Sequence, residues 1–215
     1  MDDPSRSSAV APEDGPERER AGRERILRAA GQLFAKEGYE AVTMRAIAGR
    51  IGITAAGLYA HYPSKAAILA DFVEAELKRF LRAVETACAT ERGPIEKLGR
   101  FASEHVLQSL AAADLGPFNV HAALTQLTRQ LPEPERQELL AVQRAHLRLL
   151  TAILAEGAER GLVARQERPT ATAFAILSMC DYVTTWFRPG GPLSPQEVAD
   201  HHAALVLRMV GACPA

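Results

Sequence analysis

Apolar positions recur along this chain at intervals of three and four, and nowhere do they alternate in twos for long enough to suggest a strand. Ile26, Leu27, Ala30, Leu33 and Phe34 fall on one helical face, and Gly38 stands where such a helix can stop. Thr43 is placed to N-cap a short second helix that turns Met44, Ile47, Ala48 and Ile51 inward before Gly52 ends it. Thr54 can cap a third short helix with Leu58 and Tyr59, and Pro63 forbids its continuation. Ser64 then opens a fourth helix through Ile68, Leu69, Phe72, Val73, Leu77, Phe80, Leu81 and Val84. At ~1.5 Å per residue it is on the order of 33 Å long, enough to bridge two folding units.

Gly93-Pro94 opens a fifth stripe of Ile95, Leu98, Phe101, Ala102, Val106 and Leu110. A sixth helix is predicted over 118–131, closed by Pro132-Glu133-Pro134, and a long seventh over about 135–159, ending at Gly161. The stretch 172–187, with Pro169 at its head, is apolar nearly all round, the pattern of an element buried on every side. After the breaker Pro189-Gly190-Gly191-Pro192, Ser194-Pro195-Gln196-Glu197 reads as a capping box. It opens a last helix with Val198, His202, Leu205, Val206, Met209 and Val210 on one stripe. The pattern predicts an all-α fold of about nine helices.

Composition adds a division of charge. The 215 residues are 47% hydrophobic with a net charge of −1, the balance of a soluble chain that can bury a core. Residues 1–17, without periodicity and carrying five acids against Arg6, read as a disordered tail. Residues 18–65 carry nine Lys and Arg against four acids, and the remainder is slightly acidic. A basic N-terminal unit on a neutral body is the charge layout of a nucleic-acid-binding head, and also of an ordinary solvated helix face. No run approaches the ~18 apolar residues of a membrane helix, and the acidic N-terminus is unlike a secretory signal. The expectation is a cytoplasmic protein without membrane contact. Cys88, Cys180 and Cys213 are too dispersed for a CxxC pair and should be reduced, Cys180 by packing in the core.

The stretch 43–69 carries a mechanism. Two short helices joined at Gly52 have helix-turn-helix geometry, in which the second helix enters the major groove of DNA. Ile47, Ala48, Ile51, Ile53 and Leu58 would face inward. Thr54, Ala55, Ala56, Gly57, Tyr59, Ala60 and His61 would face outward, small enough to bring backbone close to bases and phosphates. Lys65, in the first turn of the next helix, adds a cation beside free amides.

Thr43, Ile47, Ala48, Gly52, Ile53, Thr54, Leu58, Tyr59, His61, Tyr62, Ser64, Lys65 and Ile68 together resemble the head motif of the TetR family of bacterial transcription regulators. Tyr62 stands where Phe is commoner, and Ala66 where an acid is frequent. The resemblance implies a homodimer whose two heads straddle a palindromic double-stranded DNA operator. By position it implies phosphate contacts from Thr43, Arg45, Tyr59, His61 and Lys65, with Thr54, Ala55, Ala56 and Gly57 nearest the base edges. The division it suggests is a tail over 1–17, a helix-turn-helix domain over 18–64 and an effector-binding, dimerising domain over 65–215.

It further implies a small-molecule effector within the body. Apolar and polar candidates for such a pocket are Phe101, His105, Phe118, His121, Gln126, Leu150, Met179, Tyr182 and Trp186, each also explicable as ordinary core. Dimerisation through the last two helices points to Phe174, Leu177, Val198, His202, Leu205, Val206 and Met209. The run 186–198 is similar to a branch of the family that includes repressors of steroid-ring and fatty-acid catabolism, which implies an acyl-CoA thioester as one candidate effector. Catalytic chemistry finds no footing: Glu-x-x-His, a Walker loop, GxSxG and Cys-His pairs are all missing from the sequence. Glu197 and His201 are spaced to share a helix face, where a solvated helix end explains them. No cofactor, metal or catalytic residue is expected. A helical acyl-CoA-handling enzyme and an activator of the same family are the other readings the residues leave open.

Overall fold

The computed structural model describes residues 15–113 and 133–212. Within them the chain is helical: α1 (Gly15–Glu37), α2 (Met44–Ile51), α3 (Ala55–His61), α4 (Lys65–Ala89), α5 (Pro94–Ala113), α6 (Glu133–Glu159), α7 (Pro169–Asp181), α8 (Val183–Trp186) and α9 (Pro195–Met209). The helix predicted over 118–131, with Phe118, His121 and Gln126, lies outside the described residues. Side-chain caps begin the short helices as expected. Thr43 Oγ1 accepts from Ala46 N–H at 3.1 Å, Thr54 Oγ1 from Gly57 N–H at 3.0 Å and Ser64 Oγ from Ala67 N–H at 3.1 Å. At Ser194 the capping box is complete, with Glu197 returning to the Ser194 N–H at 2.8 Å. Gly52 closes α2 at φ 73°, a left-handed conformation that a side chain at Cβ would oppose.

Two apolar cores divide the molecule. One gathers Ile26, Ala30 and Phe34 of α1, Ile47 and Ala48 of α2, Leu58 of α3, Tyr62, and Ile68, Leu69, Phe72 and Val73 of α4. Leu139 of α6 reaches into it. The other joins Val84 and Cys88 of α4 to buried stripes of α5, α6, α7 and α9. Helix α4, 25 residues and about 37 Å long, therefore belongs to head and body alike. Its approach to α1 is close enough that a Cβ on Gly31 would lie 2.4 Å from the Phe72 ring.

Two expectations change. The run 172–187 is not one helix: α7 ends at Asp181 and a single turn, α8, follows. At the break Thr184 and Thr185 turn back on the chain, their hydroxyls donating to the Asp181 and Tyr182 carbonyls at 3.1 and 2.7 Å. Nor is the run buried on every side. Ala173, Ile176, Cys180 and Val183 form one buried stripe, while Phe174 and Tyr182 stand in solvent.

Candidate functional site

Helix α3 is held by a single buried side chain, Leu58, and turns its other residues outward. Thr54, Ala56, Tyr59, Ala60 and His61 are exposed, as are Thr43 and Arg45 on the edge of α2, while Ala55 and Gly57 are half-buried. The two capping threonines accept a hydrogen bond from the backbone, which leaves each hydroxyl proton free to donate to an anion. Arg25 of α1 donates to the Ile51 carbonyl at 3.2 Å and so ties the end of α2 to α1. The result is a surface of small residues flanked by hydroxyl, imidazole and guanidinium groups, which suits a phosphate-lined groove.

Lys65 departs from that picture. Its ammonium donates to the carbonyls of Tyr39 at 2.6 Å, Val42 at 2.8 Å and Glu40 at 3.3 Å, and lies 4.3 Å from the Tyr39 ring centroid. Three N–H donors meet three acceptors, so the side chain that the sequence suggests as a phosphate contact instead holds the loop between α1 and α2.

In the body, polar groups meet among α4, α5, α6 and α7. His105, buried in the core, brings Nε2 to 2.7 Å from Asp181 Oδ1 and Nδ1 to 3.0 Å from His146 Nε2. The Asp181 carboxylate can only accept, so His105 Nε2–H donates to it, and the second ring nitrogen shares one hydrogen bond with His146 Nε2. Phe80 of α4 stands edge-on to both imidazoles, and Phe101 stacks on His146 with centroids 4.9 Å apart. Phe101 and Leu150 are buried beside this cluster, and Met179 packs against the same core.

A second surface is apolar and open. Tyr182 is 66% exposed, Phe174 55%, Met209 46% and Trp186 44%. All four lie on α7, α8, α9 or the joint between the first two.

Comparison with known proteins places this architecture. Residues 26–72 match the sequence family described as bacterial regulatory proteins, tetR family, and residues 91–210 match the tetracyclin repressor-like C-terminal domain. The chain belongs to the TetR family. One relative, the HTH-type transcriptional repressor KstR2 of Mycolicibacterium smegmatis, is 28% identical over 200 residues, covering 90% of this chain and 93% of that protein. The fatty acid metabolism regulator protein of Bacillus subtilis is 28% identical over 163 residues, 75% of this chain and 81% of the other. Among solved structures, the TetR family transcriptional regulator PfmR of Thermus thermophilus superposes with a TM-score of 0.73 at 32% identity, covering 86% of this chain and 97% of that one.

Within this TetR-family body several expected roles move. Val198, His202 and Val206 are turned into the protomer's own core, because α9 lies along α5 and spends that stripe there. His202 also donates Nδ1–H to the Val198 carbonyl at 2.8 Å. These three are therefore not available to a second subunit, whereas Phe174 and Met209 are, and Leu177 and Leu205 are half-buried. Tyr182 and Trp186, expected in an effector pocket, stand on the open apolar surface instead, and the Trp186 ring stacks on His202 with centroids 6.2 Å apart. The sequence reading missed His146 and Asp181. Asp181 had a signal, being the one charged side chain between Arg168 and Arg188 in an otherwise uncharged stretch.

Proposed function

We propose that this TetR-family chain is a ligand-responsive transcriptional repressor that acts as a cytoplasmic homodimer on a palindromic operator. The observation that carries this reading is α3, a short helix capped by Thr54 whose outer face offers only small residues, Tyr59 and His61. In this reading Thr54, Ala55, Ala56 and Gly57 lie nearest the base edges, and Thr43, Arg45, Tyr59 and His61 donate to phosphates. The two α3 helices of a dimer enter successive major grooves roughly 34 to 36 Å apart, or at a related groove spacing. Phe174, Tyr182, Trp186 and Met209, which leave a large apolar area open in the single chain, support the second subunit's place there.

The effector is small and mostly apolar and enters the body beside Phe101, His105, Leu150 and Met179, with the His105–His146–Asp181 cluster as its polar wall. The acyl chain of an acyl-CoA thioester would supply the apolar part that enters there, its nucleotide staying outside; this class fits the similarity over 186–198, and the Bacillus subtilis relative's name is in keeping with it. To release DNA, the effector must favour the non-binding conformer by about 1 to 3 kcal/mol, the usual scale of coupling between sites. The test is selection of genomic fragments by the purified chain, then footprinting and challenge with acyl-CoA thioesters of graded length. Enrichment of a palindrome, protected until a thioester is added, is the expected result. Failure to enrich any fragment at low salt, even after refolding to strip bound ligand, sinks the repressor reading; protection that no thioester relieves sinks the effector class alone.

A further inference from the structure

Within its seven residues α3 buries one side chain, Leu58, and a single non-directional apolar contact does little to set a helix's rotation about its own axis. Helix α3 needs a second, directional hold if its outer face is to meet a groove at a defined angle. The structure provides one at its C-terminal end. Tyr62, the C-cap of α3, is 2% exposed and donates its O–H to Asp71 Oδ2 of α4 at 2.9 Å. Arg23 of α1 pairs with the same carboxylate oxygen and lies 5.1 Å from the Tyr62 ring centroid. Burial, and then the Asp71 carboxylate, hold the Tyr62 phenol far above its ordinary range, so the donor keeps its proton. The phenylalanine commoner at this point of the TetR motif would fill the same space without the O–H.

We propose that Tyr62 and Asp71 are positioning residues for operator recognition, a clamp that fixes the exit of α3 to α4 so that the recognition helix follows α4 as one body. Lys65, six residues before Asp71, fastens the loop between α1 and α2 to the same helix through the Tyr39, Glu40 and Val42 carbonyls. Arg23 takes part in the clamp by pairing with the same Asp71 oxygen. The proposal rests on the reading of the head as an operator-binding unit, since only there does the roll of α3 matter.

The experiment compares full-length wild type with Tyr62→Phe, Asp71→Ala and the double variant, on operator and non-operator duplexes across a salt series, with amide exchange of the free proteins alongside. Each single variant should lose about 2- to 30-fold in operator affinity, the range for residues that act through a neighbour. The double variant should be no weaker than the weaker single, because both remove one interaction. For Tyr62→Phe, which alters no charge and touches no phosphate, non-operator affinity and the salt dependence should stay as in wild type; Asp71→Ala also releases Arg23, so its effect is read as the fall in the ratio of operator to non-operator affinity. Amides of 55–61 should exchange faster in both variants. Unchanged operator affinity, independent additive losses, or a shallower salt slope with equal loss on both duplexes would each overturn the clamp. If wild type holds no duplex at all, the regulator reading fails separately, and unchanged exchange over 55–61 still refutes the clamp.

Discussion

Replacing Phe174 tests the proposed dimer on the open apolar surface of α7. Its side chain is 55% exposed on α7, although the stripe of α7 that faces the body is already filled by Ala173, Ile176 and Cys180. A buried aromatic hides about 150 to 250 Å² in all, so roughly 100 Å² of Phe174 awaits a cover. At about 25 cal/mol per Å², covering it contributes about 2.5 kcal/mol per protomer, and about 5 kcal/mol for the symmetric pair. The alanine Cβ retains part of that area and ordering the ring costs side-chain entropy, so Phe174→Ala should raise the dimer dissociation constant by about a hundred- to a thousandfold. Phe174→Glu should do more, since it buries two carboxylates without partners. Sedimentation velocity over nanomolar to micromolar protein reads the constant directly. Val206→Ala is the contrasting control: it faces the protomer's own core, and its cost of about 1 to 3 kcal/mol should appear as lost stability. A dissociation constant for Phe174→Glu equal to that of wild type would refute the assignment of this face to the second subunit.

Arg45→Ala should weaken binding to every duplex alike and lower the slope of log affinity against log salt by about 0.9, measured by anisotropy titration. Gly31→Ala places a Cβ 2.4 Å from the Phe72 ring and should cost about 1 to 3 kcal/mol, seen as a lower Tm by about 2 to 4 °C for each kcal/mol. Burial pushes the Cys180 thiol up to about 12, and the neighbouring Asp181 adds to the shift. Between its ordinary value near 8.5 and that figure, the folded chain keeps a proton the unfolded chain has released. That contribution to stability is whole below about pH 8.5 and declines as pH rises toward 12. Peptide mapping after iodoacetamide should accordingly find Cys180 unmodified in native protein at pH 8 and modified in denaturant; native modification would refute its burial. Asp181→Asn should lower stability by about 1 to 3 kcal/mol in a denaturant titration, because it removes the charge that His105 Nε2–H meets in the core.

What the sequence disclosed follows from what is local. Thr43, Thr54, Ser64 and Ser194 each cap the helix that begins beside them, and each is recognisable because cap and amide are three residues apart. Gly52 and the inward residues of the head obey the same short-range logic. The destination of a side chain is another matter. The sign of Lys65 is plain in the sequence, but the three carbonyls that receive it come from a loop more than twenty residues earlier. Periodicity likewise shows that α9 has an apolar stripe and cannot say whether α5 or a second subunit covers it. The aromatics of 172–187 failed for the related reason that a continuous apolar run does not distinguish a pocket from a surface awaiting a partner.

The two cores meet along one helix, and that sets how the body can act on the head. Phe80 lies against His105 and His146, while Asp71, nine residues earlier and about 13.5 Å along α4, holds Tyr62 and Arg23. A helix transmits displacement over that distance with little loss, because each turn is cross-linked by its own hydrogen bonds. Its head end is tied by directional polar contacts, whereas at its body end Phe80 stands edge-on to two imidazoles and Val84 and Cys88 are buried. An effector bound at the site proposed beside Phe101 and His105 would act on this body end of α4. Because the clamp makes α3 move with α4, a few degrees of tilt in α4 would shift each head as a unit and so alter the distance between the two recognition helices of the proposed dimer. In the proposed scheme, repacking around Phe80 is the step an effector would drive, and the Tyr62–Asp71 hydrogen bond is the contact that would carry the displacement of α4 to the recognition helix.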